Sequence, residues 1–362
     1  MSFSSGTTPP TPVVSRRGAL ITAAGGIGLA SVASSATAAN GTRFRARTVA
    51  ARRRRRPRRP RPAVNPATNL TAVRVFPSYR TKVYGQHDAV LERLGDLGIK
   101  RMSHKLTPAI ASSAAVISFT QRAYFEHGIK SWLTVGEPRV PISPAEWDKM
   151  VRVLKGPLAG MVERVYGWNE PNHVRGGGSP LPADWHLKAA AHQAQLWARM
   201  APLGIKVGTP QLWSGDFDRH DRDLFKLAPH IRGNFDHIGW HLYPRGTVGE
   251  HLLDRFEDTY RAALGGTFPV VCTEAGYFTA PNYRGGAINV TEAQEADYLP
   301  KLVDSYVKRG YGISYFELLN DPDPSGANRE AHLGLFNTPS MNPASWTPKA
   351  GYHSLKAHLA GN

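Results

Sequence analysis

Cysteine is almost absent: the 362 residues contain one. A disulfide framework and a cysteine-based zinc finger are thereby excluded. Acidic residues are missing altogether from the first 62 positions, which hold 13 arginines and no lysine. The other 300 residues carry 32 basic and 28 acidic groups, so most of the net charge of +17 sits in this tail. The body of the chain is close to neutral, which is not the footprint of a basic nucleic-acid-binding domain. No segment beyond residue 62 has the roughly 18 consecutive apolar residues of a membrane helix, so no transmembrane domain is expected in the mature protein. No Gly-x-Gly-x-x-Gly follows the first apolar run, which removes the best support for a dinucleotide fold. There is no His-Glu-x-x-His and no aspartate-rich calcium loop; the prolines of Asp321-Pro322-Asp323-Pro324 suit a stiff surface loop. No metal and no cofactor are expected. What remains, at 41% hydrophobic residues, is ample for a sizeable core, and a wholly disordered chain is excluded.

Residues 1–39 read as an export signal. Ser15-Arg16-Arg17 opens a weakly apolar Gly/Ala stretch that ends in Ala36-Thr37-Ala38, giving a charged region, an apolar region and a small-residue cleavage site. The paired arginines resemble the twin-arginine signal, which a receptor reads, although Ala19 stands where that signal usually has Phe. Localisation is therefore expected to be extracellular or at the cell envelope. Residues 40–68 form an Arg/Pro-rich linker, with 11 arginines between 41 and 62. Charge repulsion and proline both oppose packing there. A second reading makes residues 41–62 an electrostatic tether to an anionic envelope polymer or membrane phosphate. Sequence-specific nucleic-acid binding is not expected, because no base-reading module accompanies the run.

From residue 69 the pattern alternates. Short apolar runs suited to buried parallel strands occur at 70–76, 99–104, 129–135, 162–168, 205–209, 235–241, 269–274 and 312–317. Helical periodicity fills the intervals, as at 88–97, 144–154, 184–200, 250–264 and 291–308, with a last helix at 348–359. Several of these segments end in the glycine that helix C-termini favour. Eight strand–helix units over about 290 residues predict a single α/β domain at 69–362, a (β/α)8 TIM barrel, acting as a monomer. Its chemistry should then sit at the C-terminal ends of strands.

Two carboxylates fall at such ends. The fourth run ends Trp168-Asn169-Glu170-Pro171-Asn172, and the seventh ends Thr273-Glu274-Ala275-Gly276. This pair, 104 residues apart, resembles the large clan of retaining (β/α)8 glycoside hydrolases. The resemblance covers residues 69–362 and implies hydrolysis of O-glycosidic bonds in a poly- or oligosaccharide, with Glu170 as general acid/base and Glu274 as nucleophile. The chemistry needs both: a proton for the leaving oxygen, and a negative group on the opposite side of the anomeric carbon. The resemblance further implies that Asn169 binds the sugar 2-hydroxyl, that Tyr243 orients the nucleophile, and that His241 lines the sugar subsite. It also shows departures. No arginine ends the second strand, where His104 or Lys105 stands instead, and strand eight has Phe316-Glu317 where a tryptophan is common. Glu317 reads equally as a substrate ligand or an ion-pair partner.

Trp168, Trp213, Trp240, Tyr277 and Phe316 are candidate sugar-stacking platforms. Cys272 shares strand parity with Glu274, so both are expected to face inward, the cysteine as a small buried hydrophobe. Two other readings remain open: a non-catalytic carbohydrate-binding barrel at the envelope, and a different barrel enzyme such as a lyase. The second lacks a phosphate-gripping glycine loop after strands seven and eight.

Overall fold

The computed structural model describes residues 65–79, 81–173, 180–284 and 289–361. The expected export signal and most of the linker lie outside these residues. A short helix α1 (Pro66–Leu70) precedes eight strands: β1 (Thr71–Arg74), β2 (Arg101–Leu106), β3 (Lys130–Val135), β4 (Val162–Tyr166), β5 (Lys206–Gly208), β6 (Ile238–His241), β7 (Val270–Ala275) and β8 (Gly312–Tyr315). Helices alternate with them: α2 (His87–Leu97), α3 (Ala114–His127), α4 (Pro144–Lys155), α5 (Trp185–Met200), α6 (Phe217–Ile231), α7 (Glu250–Leu264), α8 (Glu292–Val307) and α9 (Ala350–Ala360). The strands form one parallel sheet in the order β5-β4-β3-β2-β1-β8-β7-β6, and a parallel bridge between Gly208 and His237 joins its two ends. This is the (β/α)8 barrel expected from the alternation. A small antiparallel ladder, β9 (Phe336–Asn337) with β10 (Thr347–Pro348), precedes α9.

Local signals start and stop the helices. Ser143 caps α4 and Glu146 reaches back to the Ser143 N–H, a reciprocal capping box with Pro144 in the first turn. Thr291 and Gln294 do the same for α8. The α2 helix ends at Gly98, whose φ of 77° lies in the left-handed region that glycine enters without steric cost.

Strand parity divides the core. Outward residues such as Val73, Met102, Val165, Trp240 and Cys272 pack against the helices, while Ala72, Trp132, Tyr166 and Val271 fill the barrel. Trp132 and Tyr166 are too large for a symmetric layer, and glycines make the room. A Cβ on Gly208 would lie 2.4 Å from the Tyr166 ring, one on Gly239 2.8 Å from it, and one on Gly312 3.1 Å from Trp132. A packed floor of this kind leaves only the C-terminal mouth for chemistry. Among the described residues, no helix is long and apolar enough to cross a membrane.

Candidate active site

Glu170 follows β4 in a tight turn. Its N–H donates to the Gln211 carbonyl at 2.6 Å, and its own carbonyl accepts from the His173 N–H at 3.0 Å. These bonds hold it at a φ of 50°, a left-handed conformation uncommon for a side-chain-bearing residue. Such strain persists only where surrounding structure imposes it, and it clusters at functional sites.

Glu274 reaches the same place by a different device. On both sides of β7 one extra residue interrupts the register: Trp240 pairs with Cys272 but His241 with Glu274, and Cys272 pairs with Ile313 but Ala275 with Tyr315. A bulge at Thr273 resets the alternation. Cys272 therefore faces the helices while Glu274 faces the barrel, which corrects the expectation that the two share a face. The cysteine is fully buried, and burial pushes its thiol up to about 12, so it is no nucleophile.

The two carboxylates meet around His241. Its Nδ1 lies 3.0 Å from Oε1 of Glu170 and 3.5 Å from Oε2 of Glu274. Tyr243 donates its hydroxyl to Oε2 of Glu274 at 3.1 Å. One carboxylate oxygen from each glutamate and the imidazole nitrogen all lie within 4.8 Å of one another. These are donor types that zinc also takes. Burial would raise the pKa of Glu170; the contact with His173 and the hydrogen bond with His241 outweigh it and hold the carboxyl down at about 2. Burial likewise opposes charge on His241, yet the neighbouring Glu274 and Glu170 prevail and raise its pKa. The two shifts run in opposite directions and both favour a carboxylate–imidazolium pair. Burial, then the Glu274 charge, keeps the Tyr243 phenol protonated and able to donate.

Asn169 is buried beside Glu170, bridged through its backbone to Gln211, and its side-chain oxygen has no protein partner. Asn169, Glu170, His241, Tyr243 and Glu274 are thus brought to one place. Phe316 joins them, edge-on to Tyr243 at 6.5 Å and to Phe76 at 5.8 Å.

The remaining candidates are placed elsewhere. Trp168 stacks on His192 of α5 at 4.8 Å. Trp240 is fully buried against Phe256 and Tyr260 of α7. Tyr277 is buried against Tyr298 of α8 and donates its hydroxyl to the Thr247 carbonyl. None of the three presents a ring face to a ligand in this arrangement, since each packs into the helix layer. His104 shares parity with Met102 and Leu106, which face the helices, and its Nε2 contacts Ser131 at 3.2 Å. Burial is the main reason its pKa falls to about 3, so it stays neutral. Glu317 is buried and accepts the Tyr84 hydroxyl at 2.9 Å. Trp213 stands beside Glu170, but its ring already carries His173 at 4.8 Å and the Arg219 guanidinium at 5.4 Å.

Three residues near the site were missed. His173 contacts Oε2 of Glu170 at 3.4 Å. Arg74, buried at the end of β1, donates to Thr134, which in turn donates to Gln211. A charge closing an otherwise apolar strand, as in Ala72-Val73-Arg74, was a usable signal for Arg74. For His173 the signal was its spacing, three residues beyond the glutamate. Gln211 offered none.

No family profile matches the chain, and no curated protein sequence does. Solved structures do. A family 39 glycoside hydrolase from Bacteroides cellulosilyticus superposes with a TM-score of 0.56 at 15% identity, covering 83% of this chain and 65% of that one. A family 17 β-1,3-glucanosyltransferase from Rhizomucor miehei gives 0.53 at 20% identity, over 77% and 96% of the two chains. A Bacteroides uniformis β-glucuronidase gives 0.55 at 14% identity, over 80% of this chain and 34% of that one. At such identities the likeness is one of fold, a (β/α)8 barrel that this chain shares with these enzymes.

Proposed function

We propose that the protein is a retaining glycoside hydrolase in which Glu274 is the nucleophile and Glu170 the general acid/base. The observation that carries this is the pair of carboxylates at the ends of β4 and β7, whose oxygens approach within 4.8 Å. Retention requires roughly 5–5.5 Å between the carboxyls, whereas inversion needs about 6.5–9.5 Å to admit a water.

In the first step a Glu274 oxygen bonds to the anomeric carbon as the glycosidic C–O bond breaks. The leaving oxygen takes a proton from Glu170. That proton must first pass to Glu170 from a neighbouring imidazole, because the contacts around the free carboxyl hold its pKa low. In the second step water attacks the anomeric carbon and gives its proton to the Glu170 carboxylate, and Glu274 departs as a carboxylate. Tyr243 stabilises Glu274 as a carboxylate before attack and again as it departs, and the unpartnered side-chain oxygen of Asn169 suits a sugar hydroxyl next to the reacting carbon.

The substrate class is a poly- or oligosaccharide. One neighbour in fold is named as a β-1,3-glucanosyltransferase, so laminari-oligosaccharides come first in a screen, with sugar acceptors added to reveal transfer as well as hydrolysis. The arginine-paired leader and the basic tail support export and retention near an anionic envelope surface.

The test is hydrolysis by the full chain on aryl glycosides and β-glucans, beside Glu170→Gln and Glu274→Gln. Activity lost in both variants supports the reading. Sugar binding with no turnover of any substrate supports a non-catalytic carbohydrate-binding barrel instead.

A further inference from the structure

His173 is the one group on the outer oxygen of Glu170 among the described residues. Its Nδ1 lies 3.4 Å from Oε2, while His241 holds Oε1. The imidazole is not a free rotamer. It stacks on Trp213, with ring centroids 4.8 Å apart and planes within 1° of parallel. Trp213 is anchored in turn: its N–H donates to Oδ1 of Asn172 at 2.8 Å, and Nδ2 of Asn172 donates to Asp223 at 2.9 Å. Arg219 covers the indole and donates to the Asn172 carbonyl at 2.6 Å. Asn172 is fully buried, so this framework belongs to the core. His173 itself is 30% exposed, so it touches both solvent and the carboxyl. His241, by contrast, is buried beneath the two glutamates.

We propose that His173 is a positioning residue for the general acid: stacked on Trp213, it fixes the orientation of the Glu170 carboxyl and relays its proton between turnovers. This rests on Glu170 being the acid. The proton count closes over one cycle. The His173 imidazolium gives its proton to Oε2 of Glu170, and Glu170 gives one to the leaving oxygen. When Glu170 next removes a proton from the attacking water, it returns that proton to the neutral imidazole. No net proton is consumed, as hydrolysis requires. The contact from His173 is also the first of those that hold the Glu170 carboxyl low against its burial.

Two measurements on His173→Ala and the bulkier His173→Gln test this. In the first, kcat/KM is compared across aryl glycosides of graded leaving-group acidity and an unactivated oligosaccharide. A relay through the acid predicts a loss at least tenfold larger for poor leaving groups than for activated ones, since only the former need protonation. Equal losses on all substrates, or a rise in KM alone, would assign His173 a structural or sugar-stacking role and overturn the proposal. The second is 13C NMR titration of the Glu170 carboxyl, which needs no substrate. The account predicts an upward shift of about one unit or more on removing His173; an unchanged titration overturns it. The two failures are separable. An inactive wild type with a His173-dependent titration would contradict the glycosidase reading, while an active wild type with an unchanged titration would contradict only the role of His173.

Discussion

Nδ1 of His241 lies 3.0 Å from Oε1 of Glu170 and 3.5 Å from Oε2 of Glu274, so one imidazole stands between the two candidate catalytic carboxylates. This has a consequence for stability. His241 has a raised pKa in the folded state, so its contribution is fully present below its ordinary value of 6.5 and is lost as pH rises through the raised value. Replacing Glu170 by Gln removes one of the two carboxylates responsible. Melting curves should show wild type losing more stability than Glu170→Gln as pH is raised from about 6 to 9.

The depressed carboxyl acts at the other end of the scale. Glu170 titrates near 2 when folded, against an ordinary 4.5, so its contribution is present above pH 4.5 and disappears as pH falls toward 2. Acid unfolding of Glu170→Gln should therefore begin from a lower stability at pH 5 and fall less steeply below it. A parallel decline in both proteins would mean that the pairing of Glu170 with its two imidazoles does not persist in solution.

Tyr243, half-buried at the mouth of the barrel, donates to Glu274 at 3.1 Å. A hydrogen bond to a charged group contributes about 1.5–3 kcal/mol. Tyr243→Phe should lower kcat/KM by roughly 10- to 100-fold, since 1.4 kcal/mol is about tenfold. The melting temperature should fall by only a few degrees, because the bond is lost while the ring and its packing stay.

The barrel floor gives a prediction about folding alone. A methyl on Gly208 would stand 2.4 Å from the Tyr166 ring and 2.9 Å from His237. Overpacking of this kind costs about 1–3 kcal/mol. Gly208→Ala should lower stability by that amount in denaturant titration, and Tyr166→Leu in the same background should recover part of it.

The alternation of apolar runs and helical segments made the barrel legible, because parallel strands buried on both faces need continuous apolar residues and the crossovers need helices. Both glutamates were legible for a related reason, since acidic residues closing buried strands stand out. Side-chain direction was harder. The bulge at Thr273 breaks the alternation that placed Cys272 with Glu274, and nothing in Cys272-Thr273-Glu274 announces an extra residue. Trp240 was avoidable: once His241 faces the site, its neighbour on a strand must face the helices. Trp168 lies past the end of β4, where strand parity no longer predicts direction. Strand position and spacing could have flagged Arg74 and His173, but their roles required the fold, because their partners Thr134 and Trp213 come from distant positions in the chain.

The central claim is that Glu274 attacks the sugar while Glu170 manages the proton. The most direct test places azide in the space vacated by Glu274→Gly and follows an activated aryl glycoside by NMR. The account predicts restored turnover and a glycosyl azide of inverted anomeric configuration, with wild type releasing the retained sugar first. No rescue by azide, or a wild-type product of inverted configuration, would contradict it.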